Sequence, residues 1–355
     1  MNTGLLKPAK HSNRALRLGV AVLIALYLVA IFADFIAPYD YREQTRQEPS
    51  APATTLRFRD EAGTLHVRPF IYKQKLADAR NQLYEDDTSH IYPLAFFVHG
   101  HSYRLLGLMS TNIHLFGVLT EAAGSEDRPR IRLLGTDQLG RDRFSRLLYA
   151  IRFSLLVSPI GTILACLIGI VFGALSGYAG RTVDAIMMGI ADTMISLPAL
   201  ILILAARAAF PLELPLFTAA ALLIGIFALT GWAEMARLTR GLVRSVRGRE
   251  YILAARSIGL TETRILWRHI MPNISRPLLV QATLLLPAFL LAEVALSFLG
   301  VGVQDPEPSL GNMLSSAADM SLLRSSPFIM LSPALAIFLF VFAVRLIGWR
   351  RSGHP

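Results

Sequence analysis

Two long stretches of this chain carry no charged side chain, and they constrain its fold more than any other feature. No Asp, Glu, Lys or Arg occurs between Arg152 and Arg181, or between Arg324 and Arg345. A helix needs about 20 mainly apolar residues to cross a bilayer, so each stretch is long enough for one span. Only 17% of the 355 residues are charged, against about 25% in soluble domains. The sequence therefore predicts a polytopic membrane protein.

The apolar pattern along the whole chain predicts six membrane-spanning helices. The fourth is bounded by Glu213 and Glu234 and is nearly as free of charge as the two stretches above. The other three contain acidic residues, among them Asp34, Asp192 and Glu293, which lipid tolerates only where the residue faces protein or water. Asp192 and Glu293 are candidates for a pathway or gate, with pairing to a neighbouring helix the alternative for Asp192. The predicted spans are residues 16–37, 153–179, 184–207, 214–233, 277–300 and 326–347.

The distribution of basic residues predicts the orientation in the membrane, because cytoplasmic segments are enriched in Lys and Arg. The loop between the fourth and fifth spans, residues 236–276, carries nine arginines against Glu250 and Glu262. Both ends of the chain are also basic. This loop and both termini are therefore predicted to be cytoplasmic, which six crossings allow. The basic residues at the ends are Lys7, Lys10, Arg14, Arg17, Arg345, Arg350 and Arg351.

The first span has the basic flank of a secretory signal, but its length favours a retained anchor. Its apolar stretch, residues 18–33, is long for a signal core, and no small-x-small cleavage site follows it. Residues 1–37 are therefore predicted to be a cytoplasmic N-terminus and the first membrane helix.

Residues 38–152, between the first two spans, are predicted to lie outside the cell membrane, which in a bacterium means the periplasm. They hold 16 basic and 14 acidic residues, and long loops are translocated whatever their charge. Alternating apolar residues predict two β-hairpins, turning at residues 60–63 and 99–102, with a helix near residues 73–84 between them. Residues 141–152 place apolar side chains on one side and arginines largely elsewhere, which predicts an amphipathic elbow on the outer leaflet.

The cytoplasmic loop contains a pattern typical of two short helices. The first begins at Glu250, Gly259 suits the position that ends it, and Thr261 can cap a second helix. Pro272 is predicted to stop the second helix, and we call residues 250–272 the knob. Small residues on the first helix leave room for another protein, whereas the alternative is a helix pair lying on anionic lipid. The residues on that face are Tyr251, Ala254, Ala255 and Ile258.

Three separated motifs resemble the permease subunits of bacterial ABC importers. The first is similar to the EAA loop, which in this family docks into a cleft on the ATPase subunit. The other two are similar to motifs of the second permease of the dipeptide, oligopeptide and nickel importers. The resemblance covers the first span and residues 134–348. The motifs are EYILAARSIG (250–259) with HIMPN (269–273), LGTDQLGRD (134–142), and EVALSFLGVGVQ (293–304) with PSLGNML (308–314).

This resemblance implies a six-helix permease of the type I ABC importer kind that forms half of a translocation pathway. It implies a homologous permease as the other half, two ATPase subunits that bind ATP and Mg, and a periplasmic substrate-binding protein. The chain itself is expected to bind no cofactor. Glu293 lies in a family motif near the outer end of the fifth span, which implies a structural or a gating role for it. The implied ATPase-coupling residues are Glu250, Tyr251, Ala254, Ala255, Arg256, Gly259 and Pro272.

Two departures from the family pattern limit what the resemblance carries over. Leu253 stands where the EAA motif usually has its first acidic residue, although Glu250 lies three residues earlier on the same predicted helix. Residues 50–133 make the periplasmic connection longer than is typical of the family. The resemblance therefore implies no role for this insert.

Several classes of function lack their residues in this sequence. The four lysines, at Lys7, Lys10, Lys73 and Lys75, never follow a glycine, so no P-loop is present. A lone cysteine within an apolar run excludes an intramolecular disulfide and a cysteine-based zinc site. His99 and His101 lack a nearby carboxylate at ligand spacing, so a hairpin turn is preferred over a metal site. No catalytic cluster is found, and the basic residues are assigned to membrane topology rather than to nucleic acid.

The second span carries a small residue at every fourth position, which on a helix forms one smooth stripe. Such a stripe lets a neighbouring helix approach closely, as in small-xxx-small packing, so we predict an internal packing seam. The alternative is the general tolerance of membrane helices for glycine. Prolines inside four spans are expected to bend them or to free carbonyl groups. The stripe is Gly161, Ala165, Gly169, Gly173 and Gly177, and the prolines are Pro159, Pro198, Pro287 and Pro333.

Together these features predict an all-α membrane permease subunit with a mixed α/β periplasmic insert between its first two helices. The permease core is residues 153–348, with a cytoplasmic tail at 349–355, in the bacterial inner membrane. The rival is an ion-coupled secondary transporter or another channel that does not use ATP. That class needs internal repeats and several acidic residues at the middle of the membrane, which the sequence does not show. The sequence does not identify the cargo.

Overall fold

The computed structural model describes residues 10–78, 80, 82–105, 107, 109–119, 129–315 and 327–351. Their contacts divide into two compact units, which are described one after the other. The first unit is residues 1–24, 155–296 and 337–355, and the second is residues 25–154 and 297–336. Lys7 and residues 352–355, at the predicted cytoplasmic ends, lie outside the described residues.

Long apolar helices dominate the described residues. Five helical stretches are long and apolar enough to cross a membrane, and a bent helix pair is a sixth candidate. These stretches overlap all six predicted spans, so the predicted helical membrane architecture is confirmed. The helices are α1 (Lys10–Ile31), α2 (Ala33–Ile36), α3 (Arg143–Tyr178), α4 (Arg181–Ser196), α5 (Ala199–Ala208), α6 (Leu216–Arg247), α7 (Glu250–Ser257), α8 (Glu262–Ile265), α9 (Met271–Phe298), α10 (Leu310–Ser315) and α11 (Pro327–Arg351).

The predicted third span is broken between α4 and α5, whose axes meet at 89°. Pro198 lies at this break, at the N-cap of α5, where its missing N–H costs no helical hydrogen bond. The carbonyl of Pro198 still accepts a hydrogen bond, from the N–H of Ile201 at 2.9 Å. Pro159, Pro287 and Pro333, in contrast, lie inside continuous helices.

The amphipathic elbow predicted for residues 141–152 is wrong. From Arg143 onward these residues form the first turns of the continuous 36-residue helix α3. The arginines do not lie on a surface, because Arg141, Arg143 and Arg146 are each no more than 5% exposed. Periodicity missed this because one carboxylate from a distant segment, that of Asp305, pairs with both Arg141 and Arg146 inside the second unit.

A four-stranded antiparallel sheet forms the insert in the second unit, with the strands in sequence order. The third strand is long, and its two halves have different partners. Its first half, up to Pro93, pairs with the second strand, and its second half, from Leu94, pairs with the fourth. The strands are β1 (Arg57–Arg59), β2 (Leu65–Asp78), β3 (Leu83–Leu105) and β4 (Met109–Val118).

The first predicted hairpin is confirmed, since β1 and β2 are joined by a turn at residues 60–63. The carboxylate of Asp60 accepts from the N–H of Thr64 at 2.8 Å. Gly63 takes a positive φ of 85° there, which a side chain rarely adopts. The turn therefore has the residue types that its backbone requires.

The helix predicted near residues 73–84 and the second hairpin are both wrong, so the described insert is a sheet rather than mixed α/β. Lys73 and Lys75 lie in β2 opposite Asp87 and Glu85 of β3, and these opposite charges favour strand pairing. Residues 99–102 continue β3 instead of turning. Gly100 there approaches the ring of His114 on β4, where a Cβ would lie 2.5 Å from its Cδ2.

Candidate functional site

The knob begins as the sequence predicts, with a short helix and a glycine turn. Helix α7 ends at Ser257, and Gly259 follows with a positive φ of 84°. A Cβ at Gly259 would meet no atom within 4 Å, so the constraint on this residue is conformational rather than steric. Thr261 holds the N-cap position of α8 with extended backbone, and its carbonyl accepts from the N–H of Ile265 at 2.9 Å.

The second part of the knob departs from the prediction, because Pro272 does not end a helix there. A π turn, Leu266–Ile270, links α8 to α9. The N–H of Met271 bonds to the carbonyl of Leu266, five residues back rather than four. Pro272 follows this wide turn as the second residue of α9, a position that tolerates a missing N–H. The knob is therefore continuous with the fifth span.

The knob divides into a buried face and an exposed face. Tyr251, Ala254 and Ile258 are exposed, as the predicted docking face requires. Ala255, assigned to the same face, is instead buried with Ile252. Counted from Tyr251, the step of four residues rotates Ala255 around the helix toward the side of buried Ile252. The step of three residues rotates Ala254 in the opposite direction, so it stays exposed.

Four large apolar side chains of the knob are exposed. Ile258 is 79% exposed and Trp267 is 62% exposed, with Leu253 and Tyr251 also exposed. Large exposed apolar groups close to one another mark sites of protein or membrane contact. A shallow, open surface around Trp267 also contains Thr263, Arg264 and Arg268.

Arg256 ties the two halves of the knob together. Its Nε and Nη2 donate to the two carboxylate oxygens of Glu262, at 2.6 Å and 3.1 Å. This hydrogen-bonded pairing raises the pKa of the Arg256 guanidinium above its ordinary value. Arg256, predicted as a coupling residue, thus also has an ion-pair partner within the knob. Glu250 and Pro272 are exposed.

The small-residue stripe of α3 lies against α6. A Cβ at Gly169 would lie 2.5 Å from the carbonyl oxygen of Trp232. A Cβ at Gly173 would overlap the carbonyl oxygen of Ala236. Contacts this close require glycine, because the facing atoms belong to the backbone of α6 and have no rotamer to change. Gly161 faces Phe227, Gly177 faces Val243, and Ala165 is fully buried.

A buried carboxylate, missed by the sequence analysis, joins α4 to the end of α6. Asp184 is paired with Arg240 through two bonds of 2.7 Å and 2.6 Å, and with Arg244 at 2.7 Å. The hydroxyl of Ser176 on α3 also donates to it at 2.6 Å. In the sequence Arg240 and Arg244 are only two of the nine arginines of the predicted cytoplasmic loop. The sequence does contain one signal for this pair. Asp184 is an acidic residue at the start of a predicted span, and the next cytoplasmic loop carries nine arginines.

Replacing Asp184 with Asn is expected to lower the free energy of unfolding by about 2 to 3 kcal/mol. The change leaves two arginines without their carboxylate, and their partial exposure keeps the loss below that of a fully buried pair. Asp192→Asn is the matched control, since Asp192 pairs with Arg237 at 3.3 Å but is 54% exposed. That change should cost less than about 1 kcal/mol. Thermal inactivation of the two variants in detergent measures the difference, and equal midpoints contradict the prediction.

The two candidate gate residues occupy different environments. Asp192 forms the helix-to-helix ion pair with Arg237 of α6, which is the alternative left open for it. Glu293 is fully buried on α9. The structure does not bring the two into one site.

A cavity of about 450 Å³ lies among α5, α6 and α9. Its walls are mainly apolar, and its polar groups include Thr230, Glu234 and Gln281. The amide of Gln281 donates to the carboxylate of Glu234 at 3.0 Å. In the sequence Glu234 only marks the end of a span, and its pairing with Gln281, 47 residues away, has no local signal. A mainly apolar cavity with a few polar groups is typical of a small-molecule passage or site.

In the second unit, the motif at residues 134–142 forms a tightly bonded loop. The hydroxyl of Thr136 donates to the carbonyl of Glu48 at 2.6 Å and accepts from the N–H of Ala51 at 2.7 Å. Asp137 accepts from the N–H groups of Leu139 and Arg141, both at 2.9 Å. This dense bonding explains why the loop needs these residue types, whatever the function of the chain.

The carboxyl of Asp142 ends the same loop and is almost completely buried. It accepts from the N–H of Ser145 at 2.8 Å and so caps the start of α3. Burial raises the pKa of Asp142, an effect that Arg132 opposes.

The histidines considered as metal ligands lie in the sheet. His99 Nδ1 is 3.1 Å from Oδ1 of Asn112, and the ring of His101 packs on that of His114 with centroids 4.4 Å apart. Among the residues that the structure describes, no three His, Cys, Asp or Glu side chains form a group that can hold a metal ion.

Family models match two parts of the chain. Residues 169–348 match the "binding-protein-dependent transport system inner membrane component" model. Residues 11–52 match the model of the "N-terminal TM domain of oligopeptide transport permease C". Most of the insert lies between these two matched segments.

Curated relatives match over a similar extent. The chain is 36% identical over 214 residues to the oligopeptide transport system permease protein OppC of Bacillus subtilis, covering 60% of this chain and 68% of that protein. It is 37% identical over 216 residues to the di/tripeptide transport system permease protein DppC of Pseudomonas aeruginosa, covering 61% and 69%. Against DppC of Alkalihalophilus pseudofirmus the identity is 35% over 241 residues, covering 65% and 76%.

Solved structures also match at low identity. An inward-facing MetNI methionine ABC transporter chain gives a TM-score of 0.43 with 17% identity, covering 58% of this chain and 94% of that chain. A chain of an amino acid ABC transporter with histidines gives a TM-score of 0.43 with 13% identity, covering 59% and 95%.

Proposed function

Because the chain belongs to the family of binding-protein-dependent transport system inner membrane components, we propose that it forms half of the pathway of an ATP-driven importer. It is a multi-pass inner-membrane permease subunit, a transporter component rather than an enzyme. We assign it peptides or a related small solute as cargo. The names of its relatives support this assignment, since they describe oligopeptide, dipeptide and di/tripeptide transport.

The exposed apolar face of the knob carries the proposal of ATP coupling. Ile258, Trp267 and Leu253 are too exposed to stabilise this chain alone, and all three belong to the knob between the fourth and fifth spans. Such a patch fits a cleft on a partner protein. In our proposal the partner is an ATPase subunit. Its ATP-dependent closure moves the knob, and α9, which continues from the knob without a break, transmits the motion to the membrane.

The proposed assembly contains a homologous permease, two ATPase subunits that hold ATP and Mg, and a periplasmic substrate-binding protein. The termini and the knob face the cytoplasm in this assembly, because basic residues are concentrated there. The cavity beside Glu234 and Gln281 is then a candidate stretch of the cargo pathway.

An ion-coupled carrier remains the rival proposal. Such a carrier binds its coupling ion through polar groups in the membrane and needs no docking knob. The two proposals differ in one measurable property, the dependence of uptake on an ATPase that contacts the knob.

Gly259→Val tests this proposal. Valine is forced toward a left-handed conformation at a cost of about 1 to 3 kcal/mol, so the turn changes shape and docking weakens by about tenfold or more. Gly248→Val is the matched control, since Gly248 also has open space around it but has a φ of −86°. We expect Gly259→Val to remain in the membrane while losing ATPase co-purification and uptake, and Gly248→Val to keep both.

A second variant separates the surface from the turn. Ile258→Glu places a charge on the exposed face without changing a buried contact, and it should also weaken ATPase binding. Val67→Glu, at a 98% exposed position of the sheet, is its control. Normal ATPase binding and uptake in both Gly259→Val and Ile258→Glu overturn the docking proposal and favour the rival carrier.

A further inference from the structure

A small pocket in the second unit lies where two of the motifs meet. Its volume is about 40 Å³, and its wall contains Arg141, Arg143 and Arg146 with Asp137 and Asp305. Asp305 is 60% exposed, so the pocket opens to solvent beside it. The three arginines precede or begin α3, whereas Asp305 belongs to the segment that follows α9. The pocket therefore joins two distant parts of the chain.

Two of the three arginines are satisfied by the two carboxylates. Arg141 donates from Nε to Asp137 at 2.6 Å and pairs with Asp305 at 3.1 Å. Arg146 donates from Nη2 to Asp305 at 2.8 Å and from Nη1 to the carbonyl of Pro306 at 3.0 Å. These contacts use the acidic groups of the pocket.

The third arginine, Arg143, has guanidinium donors without an acceptor. Arg143 is only 3% exposed, and its Nε and Nη2 have no hydrogen-bond partner. A buried guanidinium without an acceptor is costly, because the lost hydration is not replaced. The counted charges agree with this, since three guanidinium groups face two carboxylates and leave an excess of one positive charge. Arg143 therefore lacks an acceptor, and the wall of the pocket carries one positive charge in excess.

We propose that this pocket binds one small monovalent anion, either a chloride ion or a single carboxylate group. A volume of 40 Å³ exceeds that needed for one water molecule and suits either anion. Water accepts hydrogen bonds but does not neutralise the excess charge. A chloride ion accepts from several N–H groups, and a carboxylate matches the planar donor fork of arginine. Both share one chemistry, an acceptor of charge −1 facing Arg143.

A bound anion would also connect the two motifs. Residues 137–146 and 305–313 are held together by Asp305, the carbonyl of Pro306 and the wall of this pocket. An anion that contacts Arg143 supplies a further bond at the same junction. Occupancy of the pocket is therefore expected to stabilise the second unit.

The test uses the full-length chain, purified in detergent with its co-expressed transporter subunits. The buffer starts with the sodium salt of a bulky sulfonate, HEPES, whose anion carries no carboxylate and is too large for the pocket, and chloride or acetate replaces this anion at constant ionic strength. The unfolding midpoint is expected to rise by about 3 °C and to saturate, as for binding to one site. The chloride arm reports a free inorganic ion, and the acetate arm reports a carboxylate.

Two variants connect the effect to the pocket. Arg143→Gln removes the unpaired charge and should abolish the saturable shift. Arg143→Lys keeps the charge and should show the shift with a higher half-saturating concentration. Arg46→Gln, at an exposed arginine of the same unit, is the control and should behave as wild type. A wild-type midpoint that chloride and acetate do not change overturns the proposal, as does an unchanged shift in Arg143→Gln. Because docking of the knob plays no part in this assay, the result does not depend on the proposed transport function.

Discussion

Replacing Gly173 with Leu is expected to be the most damaging of the substitutions considered in the membrane helices. Its Cβ would overlap the carbonyl oxygen of Ala236 and would lie 2.7 Å from the Cβ of Thr239. Overpacking costs about 1 to 3 kcal/mol where side chains can move. Here a backbone oxygen must move, so we expect a loss at or above the upper end of that range. Helices α3 and α6 would separate, with low yield of folded chain and early thermal inactivation in detergent.

The matched control for this substitution is Gly225→Leu. Gly225 also lies in a membrane helix, α6, but a Cβ there meets nothing within 4 Å. It carries the same change in volume and helix propensity without the close contact. Gly169→Leu should resemble Gly173→Leu, since its Cβ would lie 2.5 Å from a backbone oxygen. If all three variants inactivate at the wild-type temperature, the stripe does not pack as described.

The stripe also shows what a sequence pattern can and cannot predict. A small residue at every fourth position indicates a close helix contact, because these positions share one face. The pattern does not name the partner helix, since that depends on the packing of all the spans. The structure supplies α6, through Phe227, Trp232 and Ala236. The spans themselves were predictable because length and absence of charge suffice to identify them.

The insert was predicted poorly because strand pairing overrides local preference. Residues 73–78 contain Lys, Gln, Leu and Ala, which favour helices, yet they pair with residues 83–87. The glycine at 100 was interpreted as part of a turn, whereas it serves the close approach of His114. Both errors arise from partners that are distant or invisible in a short window of sequence.

The knob was predicted in part for a similar reason. The turn at Gly259 follows from one residue type and one φ value, so the sequence suffices. The inward position of Ala255 and the continuation through Pro272 depend on how the helices meet α6 and α9. The ion pair of Asp184 was missed because its partner Arg240 lies 56 residues away in the sequence. Arg143 was missed because an unpaired buried arginine has no local sequence signature.

The second large effect is expected from removing the sheet, and the structure shows where to cut. Thr54 and Arg132 are already joined, since the N–H of Thr54 donates to the carbonyl of Arg132 at 2.8 Å. The hydroxyl of Thr54 accepts from the N–H of Arg132 at 2.9 Å. Deleting residues 57–129 with a short Gly/Ser linker therefore keeps this junction. A cut at residue 50 would remove Ala51 and Thr54, which hold the 134–142 loop.

We expect the deletion to leave membrane insertion and ATPase association intact while reducing uptake or raising futile ATP hydrolysis. The spans and the knob keep all their residues, and Ala33, Ala37 and Leu148 still pack on one another. The deletion does remove two contacts of β4 with this region, the hydrogen bond between His114 and the carbonyl of Ala37 and the ring contact of Phe116 with Phe144. In our proposal the sheet lies on the side where a loaded binding protein delivers cargo, and it widens that docking surface or guards the outer mouth.

The alternative is that the sheet is a tolerated insertion with no part in transport. The control inserts the same linker between Leu56 and Arg57 without deleting residues, so that any effect of the linker is seen separately. Uptake kinetics and basal ATP hydrolysis are measured for both variants and for the full-length complex. A deletion variant that matches the full-length complex in both measurements shows that the sheet has no part in transport. A loss of uptake with normal ATPase association assigns it to cargo delivery, because a failure of the knob would have removed the ATPase as well.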